Sequence, residues 1–493
     1  MKIILEFIAN YLCSLVNFRL YIAGILLGFQ LSAPAEESWS VRFVENSEEL
    51  GLALKDGKAC WVDVDADGWL DLIAAGTYWR NLEGKKFKRI QNGLGAVVAA
   101  DYNNDGFPDL FSYSKLKLYR NQQGKRFKQM PLPELPEHNS RGACWGDFNR
   151  DGFVDLYVGG YEVWERNISY QNLLFLNREG KVFELIPQDG NARTRGVTAC
   201  DFDRENGLDV YTSNYRLQPN GLMLNDGVGN FLNRAKKYNT LAGATDFAGG
   251  HTIGSAWGDI DNDGWFDILV GNFAHRDSRG DQPTSRFLRN PGAGKGAFED
   301  MGECGIYYQE SYASPALGDY DNDGDLDLLL TTVYGVASFK KPNYPVLFEQ
   351  TSVFEFVDVT RSAHLSQLPP SYQAAWGDYN NDGCLDLVVA GKLFTNEGGA
   401  GNWIKVQLEG DGHYVNHSAI GAQVRLELGD QILVRQVEAG TGEGNQNALV
   451  LHFGLGTHSE STVDLQIFWP DGTQQELSGV ALNQAHTITY RKR

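Results

Sequence analysis

The chain has 493 residues, 42% hydrophobic and 12% aromatic, so it is long enough for two or three packed domains and too apolar to be disordered. Its 63 acidic residues against 43 basic ones leave a net charge of −20. That balance argues against a nucleic-acid partner, because phosphate binding needs a basic surface, and points to a bound cation or a soluble exported protein.

The amino terminus reads as an export signal over residues 1–35. Lys2 and Arg19 supply positive charge, and LYIAGILLGFQL (20–31) is an apolar run of signal-peptide length. Ala33-Pro34-Ala35 then offers a cleavage pattern ahead of Glu36-Glu37. An uncleaved anchor is the alternative, since residues 3–31 together are long enough to span a bilayer. No other stretch is, so the mature chain is expected to carry no membrane span and to be secreted, periplasmic or at the cell surface.

From residue 63 onward one pattern, D-x-[DN]-x-[DE]-G-x-x-D, recurs seven times. Oxygen side chains at positions 1, 3, 5 and 9, with the backbone carbonyl of position 7, suit a hard cation of Ca²⁺ size. The glycine at position 6 permits the turn that folds those side chains inward. The first loop offers Asp63, Asp65, Asp67 and Asp71 with the carbonyl of Trp69. The second offers Asp101, Asn103, Asp105 and Asp109 with Phe107, and the third Asp147, Asn149, Asp151 and Asp155 with Phe153. The fourth departs: it holds Asp201, Asp203, Glu205 and Asp209 with Gly207, but Asn206 stands where the glycine belongs. Asn is the next-best residue for a left-handed backbone, so the turn is expected to survive. The fifth has Asp259, Asp261, Asp263 and Asp267 with Trp265. The sixth has Asp319, Asp321, Asp323 and Asp327 with Asp325, whose side chain is expected to face solvent. The seventh has Asp378, Asn380, Asp382 and Asp386 with Cys384. Up to seven Ca²⁺ ions are expected. Solubilising turns alone would not hold this spacing seven times. An EF-hand is excluded, because position 12 is never Glu and the flanks read as strands.

Strands lead into and out of each loop, as in SAWGD and DILVGN. Most loops are followed by a second hairpin with an Asn-containing turn and a Phe-initiated strand, as in YWRNLEGKKF (78–87) and LFLNREGKVF (174–183). Each unit therefore holds four strands. First aspartates lie 38, 46, 54, 58, 60 and 59 residues apart, which is the length of a propeller blade. The expected fold is all-β: a seven-bladed β-propeller over residues 39–400, with a β-sandwich-like domain over 402–493. The seventh unit lacks a Phe strand of its own, so VRFVENSEELGLA (41–53) is expected to complete it. The linker GGAGN (398–402) is too short to let the tail roam, which predicts a docked tail.

Five cysteines lie beyond the signal (Cys60, Cys144, Cys200, Cys304 and Cys384). They are odd in number and widely spread, so they read as small buried thiols and not as a disulfide framework.

The loops resemble FG-GAP/VCBS repeats, the integrin-type calcium propeller unit. The tail resembles the ASPIC/UnbV domain in NWIKVQLEG (402–410), IGAQVRLELGD (420–430), VRQVEAGTGEGNQN (434–447), LHFGLG (451–456) and LQIFWPDGTQQEL (465–477). Together they are similar to the secreted, acidic cartilage-protein-like family. That resemblance implies calcium binding and an extracellular role and supplies no reaction. The family's serine-glutamine pair is replaced here by Gly444-Asn445-Gln446-Asn447.

Successive loops of a blade alternate between faces, so the connections between second and third strands lie opposite the acid loops. They lengthen at 159–172, 213–221, 271–286 and 331–345 and are rich in Tyr, Trp and Arg. Extended loops on a rigid scaffold are where binding resides. Tyr161, Trp164, Arg166, Tyr215, Arg216, His275 and Arg276 are the candidate ligand-binding residues. The expected role is an extracellular or cell-surface binding module, monomeric, for a protein or a glycan. The alternative is an extracytoplasmic enzyme using the same face on a small molecule or glycan, with His275 beside Asp277 or His251 as a base. No H-E-x-x-H, G-x-S-x-G or phosphate-binding glycine loop supports catalysis. Arg279-Gly280-Asp281 forms an RGD tripeptide, and Asn167 and Asn416 head glycosylation sequons.

Overall fold

Each run ahead of an acid loop forms a strand in which every residue is buried, as in Ala59–Val62, Ala143–Gly146, His251–Gly258 and Ala374–Gly377. Such a strand has packed neighbours on both faces, which explains small and apolar residues without alternation. The computed structural model describes residues 41–492, apart from 245, 278–279, 293–295, 337 and 400. The expected export signal lies outside the described residues.

Seven four-stranded sheets succeed one another between residues 43 and 396, and all their strand pairs are antiparallel. In the first, Ala59–Val62, Asp71–Ala74, Thr77–Asn81 and Phe87–Gln91 lie side by side in chain order. The seventh is built from Ala374–Gly377, Asp386–Val389 and Lys392–Asn396. Its fourth strand is Phe43–Glu45, paired Phe43 to Asn396, so the amino-terminal strand completes it. The chain is a β-propeller.

One side chain per sheet ties the ring together. The Asn that ends each third strand donates its backbone N–H to the ninth-position aspartate, as Asn81 does to Asp71 at 2.6 Å and Asn177 to Asp155 at 2.7 Å. Its amide then reaches the preceding sheet. Asn121 donates to Val64 O, Asn177 to Tyr102 O, Asn225 to Phe148 O, Asn290 to Phe202 O and Asn396 to Tyr320 O. Asn81 donates to Tyr379 O, across the junction of the first and last sheets. In the sixth sheet the longer Gln350 takes the role and reaches Ile260 O. The ninth-position aspartates are thus buried anchors as well as loop acids.

The tail forms two sheets. Asn402–Glu409 lies between Leu451–Gly456, antiparallel to it, and Gln484–Thr489, parallel to it. The other sheet runs Gln431–Gln436, Gln423–Leu428, Thr462–Phe468 and Gln474–Ala481. Val406, Val424, Phe453, Leu465 and Ile467 fill the core of the tail, and that core is continuous with the apolar side chains of the second, third and fourth sheets. The tail is docked.

Two sequence readings are corrected. Cys60, Cys144 and Cys200 are buried, whereas Cys304 and Cys384 are only partly so. Asn416 is fully buried, with its side chain bonded to both the N–H and the carbonyl of Ile420, so the folded protein does not present that sequon.

Candidate functional site

The acid loops share one backbone. Position 4 is left-handed in all seven, from Ala66 (φ 57°) to Asn381 (φ 59°), and so is position 6, with Asn206 at φ 61° in the fourth loop. These turns aim N–H groups at the first aspartate. Gly68, Gly106, Gly152, Gly264, Gly324 and Gly383 each donate to it at 2.7–3.1 Å. In the fourth loop, where Asn206 stands at that position, Asp201 Oδ1 is left without a hydrogen-bond partner among the described residues. Three loops gather acid oxygens within 4.8 Å of one another: Asp63, Asp65 and Asp71; Asp259, Asp261 and Asp263; Asp319, Asp321 and Asp327. These clusters could hold a metal ion.

The fit to a hard cation is seen in what lacks a partner. Oδ1 of Asp65, Asn103, Asp201, Asp261 and Asp319 is buried and accepts no hydrogen bond among the described residues. Leaving a buried carboxylate or amide oxygen unpaired is costly unless a cation takes it. Burial, reinforced by neighbouring acids, pushes Asp71 up to about 8, Asp147 to about 7 and Asp319 to about 7. Arginines border some loops: Arg80 lies 3.1 Å from Asp65, Arg120 2.9 Å from Asp105 and Arg289 2.8 Å from Asp263. Asp325 is not solvent-facing as expected. It is half-buried and accepts a 2.6 Å bond from Asn262, linking the sixth loop to the fifth.

The tail covers this face. The buried Lys405 ammonium is 2.7 Å from Asp378, Gly454 N donates to Asp319 at 2.8 Å, and Ile432 N donates to Asn262 O. A cavity of about 460 Å³ lined by both apolar and polar side chains remains between the tail and the first, second and seventh loops.

From there the segment 436–448 enters the centre of the ring, where it bonds to the innermost strand of all seven sheets. Gln446 pairs with Ala59 and Trp61 through its backbone and with both N–H and C=O of Ala99 through its amide. Ala439 O accepts from Trp145 N, Gln436 bonds to Ala199 O, and Gly442 N donates to Ser255 O. Glu443 N donates to Ser314 Oγ, and Asn447 accepts from Trp376 N. The glycines are there for clearance: a Cβ at Gly442 would lie 2.2 Å from Ser314 Oγ, and one at Gly444 2.3 Å from the Tyr113 hydroxyl.

At the far end of the channel this segment delivers Glu443. Its carboxylate is 2.6 Å from Lys58 Nζ and 2.5 Å from Arg195 Nη2. Burial would raise its pKa, but Arg195 and Lys58 outweigh burial and hold it below the usual carboxylate range. The Arg195 guanidinium stands 5.1–5.4 Å from the rings of Tyr161, Tyr215 and Tyr372, and Arg141 lies over the Tyr161 ring. Beside them Glu162 pairs with Arg193 and Arg216, both at 2.7 Å, and Arg216 stacks on Trp164 at 3.4 Å.

Four of the candidate binding residues, Tyr161, Trp164, Tyr215 and Arg216, therefore meet at one mouth. Arg166 turns away to Glu137. His275 packs 5.5 Å from His251 with its Nδ1 2.7 Å from Glu310, and Arg276 lies over Tyr308, whereas the side chain of Asp277, the expected partner of His275, is outside what the structure describes. Arg279 of the RGD tripeptide is outside the described residues. Sequence reasoning missed Lys58, Arg141, Arg195, Tyr372 and Glu443. Lys58, Arg141 and Tyr372 precede inner strands, Arg195 opens one, and Glu443 is the lone acid in a glycine-rich turn.

A family model described as ASPIC and UnbV matches residues 412–493, and one described as FG-GAP-like repeat matches residues 101–158, which span the second and third loops. The chain is 24% identical over 517 residues to Cartilage acidic protein 1 of Mus musculus, covering 87% of this chain and 73% of that protein. It is 25% identical over 506 residues to the Homo sapiens protein of the same name, covering 87% and 71%. Among solved structures, BBS1N in complex with ARL6DN aligns with 72% of this chain and 96% of that one, at 10% identity and a TM-score of 0.43. The chain carries an FG-GAP-like repeat and an ASPIC and UnbV domain, and its homologues are cartilage acidic proteins.

Proposed function

We propose that this protein is a secreted, calcium-stapled propeller that acts as an extracellular or cell-surface binding module, a monomer recognising a protein or glycan on the face opposite its acid loops. The observation that carries the reading is the division of the two faces. One gathers acid oxygens that lack partners and lies beneath the tail; the other presents a basic, aromatic mouth with Trp164 and Arg141 exposed. FG-GAP repeats often bind calcium. Positions 1, 3, 5 and 9 of the loops hold 25 of the chain's 63 acids, and seven Ca²⁺ would move the net charge from −20 to −6. The ions would be scaffold: each would staple one hairpin, with the loop acids and the position-7 carbonyl as ligands.

Calcium that binds the folded chain far better than the unfolded one raises the melting temperature, and extracellular sites of this kind have affinities of about 10⁻⁴–10⁻³ M. Differential scanning calorimetry in EDTA and in millimolar calcium tests this. A melting temperature indifferent to both rejects the calcium reading.

The His275–Glu310 pair supports the second reading, an enzyme on the same face. Glu310 is buried and fixes the His275 ring through Nδ1, the arrangement of an oriented base. Turnover of a small molecule or glycan that His275→Gln abolishes would establish it.

A further inference from the structure

We infer that the channel mouth takes the carboxylate of an acidic sugar chain, a ligand class that deepens, and rests on, the proposed binding role of this face. In a chain of net charge −20, the mouth gathers cations: Lys58, Arg141, Arg193, Arg195 and Arg216 outnumber Glu162 and Glu443, the carboxylates they pair with among the described residues. A patch of opposite sign to the rest of the molecule draws and orients an anion. Glu443 shows what the basin accommodates, since the chain's own carboxylate lies buried between an ammonium and a guanidinium. Arg141 is exposed and has no carboxylate partner among the described residues. The Tyr161 ring beneath it leaves the planar fork free to accept a carboxylate from outside.

The rim favours a sugar over a peptide that adds a strand. Trp164 and Tyr334 are 59% and 55% exposed, and Arg216 holds the Trp164 ring in place from one side. Broad fixed aromatic faces suit the apolar face of a pyranose. A peptide captured through its main chain would need a free edge to which it could add a strand. The innermost strands have no such edge to offer, because the tail segment 436–448 already bonds to all seven. The basin is thus composite: the propeller supplies the cations and rings, and the tail supplies the one carboxylate that sets their spacing.

Isothermal titration of the full chain in calcium tests the inference, with three probes. They are a β-1,4-linked glucuronate hexamer, cellohexaose (the same chain with each carboxylate reduced to an alcohol) and a glutamate octapeptide. The uronate is expected to bind, and cellohexaose and the peptide to bind at least about tenfold more weakly, one charge-assisted contact being worth that factor. Arg141→Ala and Trp164→Ala are each expected to weaken uronate binding about tenfold, with unchanged melting temperatures because both side chains are exposed. Equal binding of cellohexaose, equal or tighter binding of the peptide, no uronate binding, or full affinity in both variants would each overturn it. A neutral glycan that binds and is lost in Trp164→Ala would overturn the acidic class and leave the module reading intact. A melting temperature indifferent to EDTA would remove the calcium reading and leave this one.

Discussion

The two ends of the propeller channel store charge in opposite ways. At one end, loops crowd like carboxylates together and leave several oxygens without partners. At the other, cations crowd together and are met by a glutamate carried through the ring from the tail. The first end is met only in part by Arg80, Arg120, Arg289 and Lys405, and the proposed calcium would supply the rest. The second has its counter-ion built into the chain, at the cost of threading a segment through seven sheets. The tail is therefore not an appendage: it covers the acid end, fills the channel and neutralises the basic end.

The largest expected effect follows from the channel segment. A chain ending at residue 398 loses partners on every innermost strand. Each lost bond is worth about 1 kcal/mol and each buried group left unpaired about 1–3 kcal/mol. Summed over the bonds made by residues 436–448, this rivals the whole stability of an ordinary domain, about 5–15 kcal/mol. The shortened chain is expected to be insoluble or to lack near-UV circular dichroism. A truncated propeller that melts cooperatively within a few degrees of the full chain would make the tail an accessory and break the comparison.

Next in size is Glu443. Glu443→Ala strands Lys58 and Arg195 in the channel, and breaking a buried pair costs about 3–5 kcal/mol. The two ends should also answer pH with opposite signs. Glu443 titrates below its ordinary 4.5 in the folded state, so its contribution is present above pH 4.5 and is lost as pH falls below it. Without metal the loop acids do the reverse. Burial lifts Asp71 to about 8 and Asp109 to about 9, so their folded forms hold protons that the unfolded chain has released, and stability falls as pH rises from about 4 towards 9. Melting in EDTA is expected to be higher at pH 5.5 than at pH 8.5, with calcium removing that difference. The Glu443→Ala chain in calcium should show a smaller loss of stability below pH 4.5 than the parent.

The repeat was legible because strand periodicity and loop spacing are local properties. Asp and Gly at fixed offsets imply a turn, and seven turns at blade-length intervals imply a ring. The amino-terminal strand closing the last sheet was legible from the missing Phe strand after LFTNEGG. The asparagine clamp was half legible. Asn81 and its counterparts read as turn residues, and they do cap the turn, as Asn81 Oδ1 accepts from Gly84 N. Their bond to the previous sheet is a contact between repeats, and no single repeat encodes it. The channel segment was opaque for the same reason. Its glycines read as a loop of unknown purpose, because their clearance is set by Ser314 and Tyr113, more than a hundred residues away in sequence. The side of Asp325 was misjudged because its partner, Asn262, belongs to a neighbouring loop.

The smallest effect separates loops that look alike in sequence. In the sixth, Asp319, Asp321 and Asp327 are all buried, and Gly324 N is already bonded to Asp319. In the fourth, Asn206 replaces the glycine, and among the described residues its acids do not gather their oxygens within 4.8 Å as those of the sixth do. The sixth is preorganised for a cation and the fourth is not, although each has four acids. Asp321→Asn removes repulsion among three buried acids, so without calcium it should raise the melting temperature, and with calcium it should remove one stabilising site and lower it. The sign reversal is the signature, worth about 1 kcal/mol in each direction. Asp203→Asn should change the melting temperature by less than about 0.5 kcal/mol equivalent in either condition. Scanning both variants with and without calcium distinguishes the loops, and equal responses would mean that glycine at position 6 does not decide which loops hold an ion.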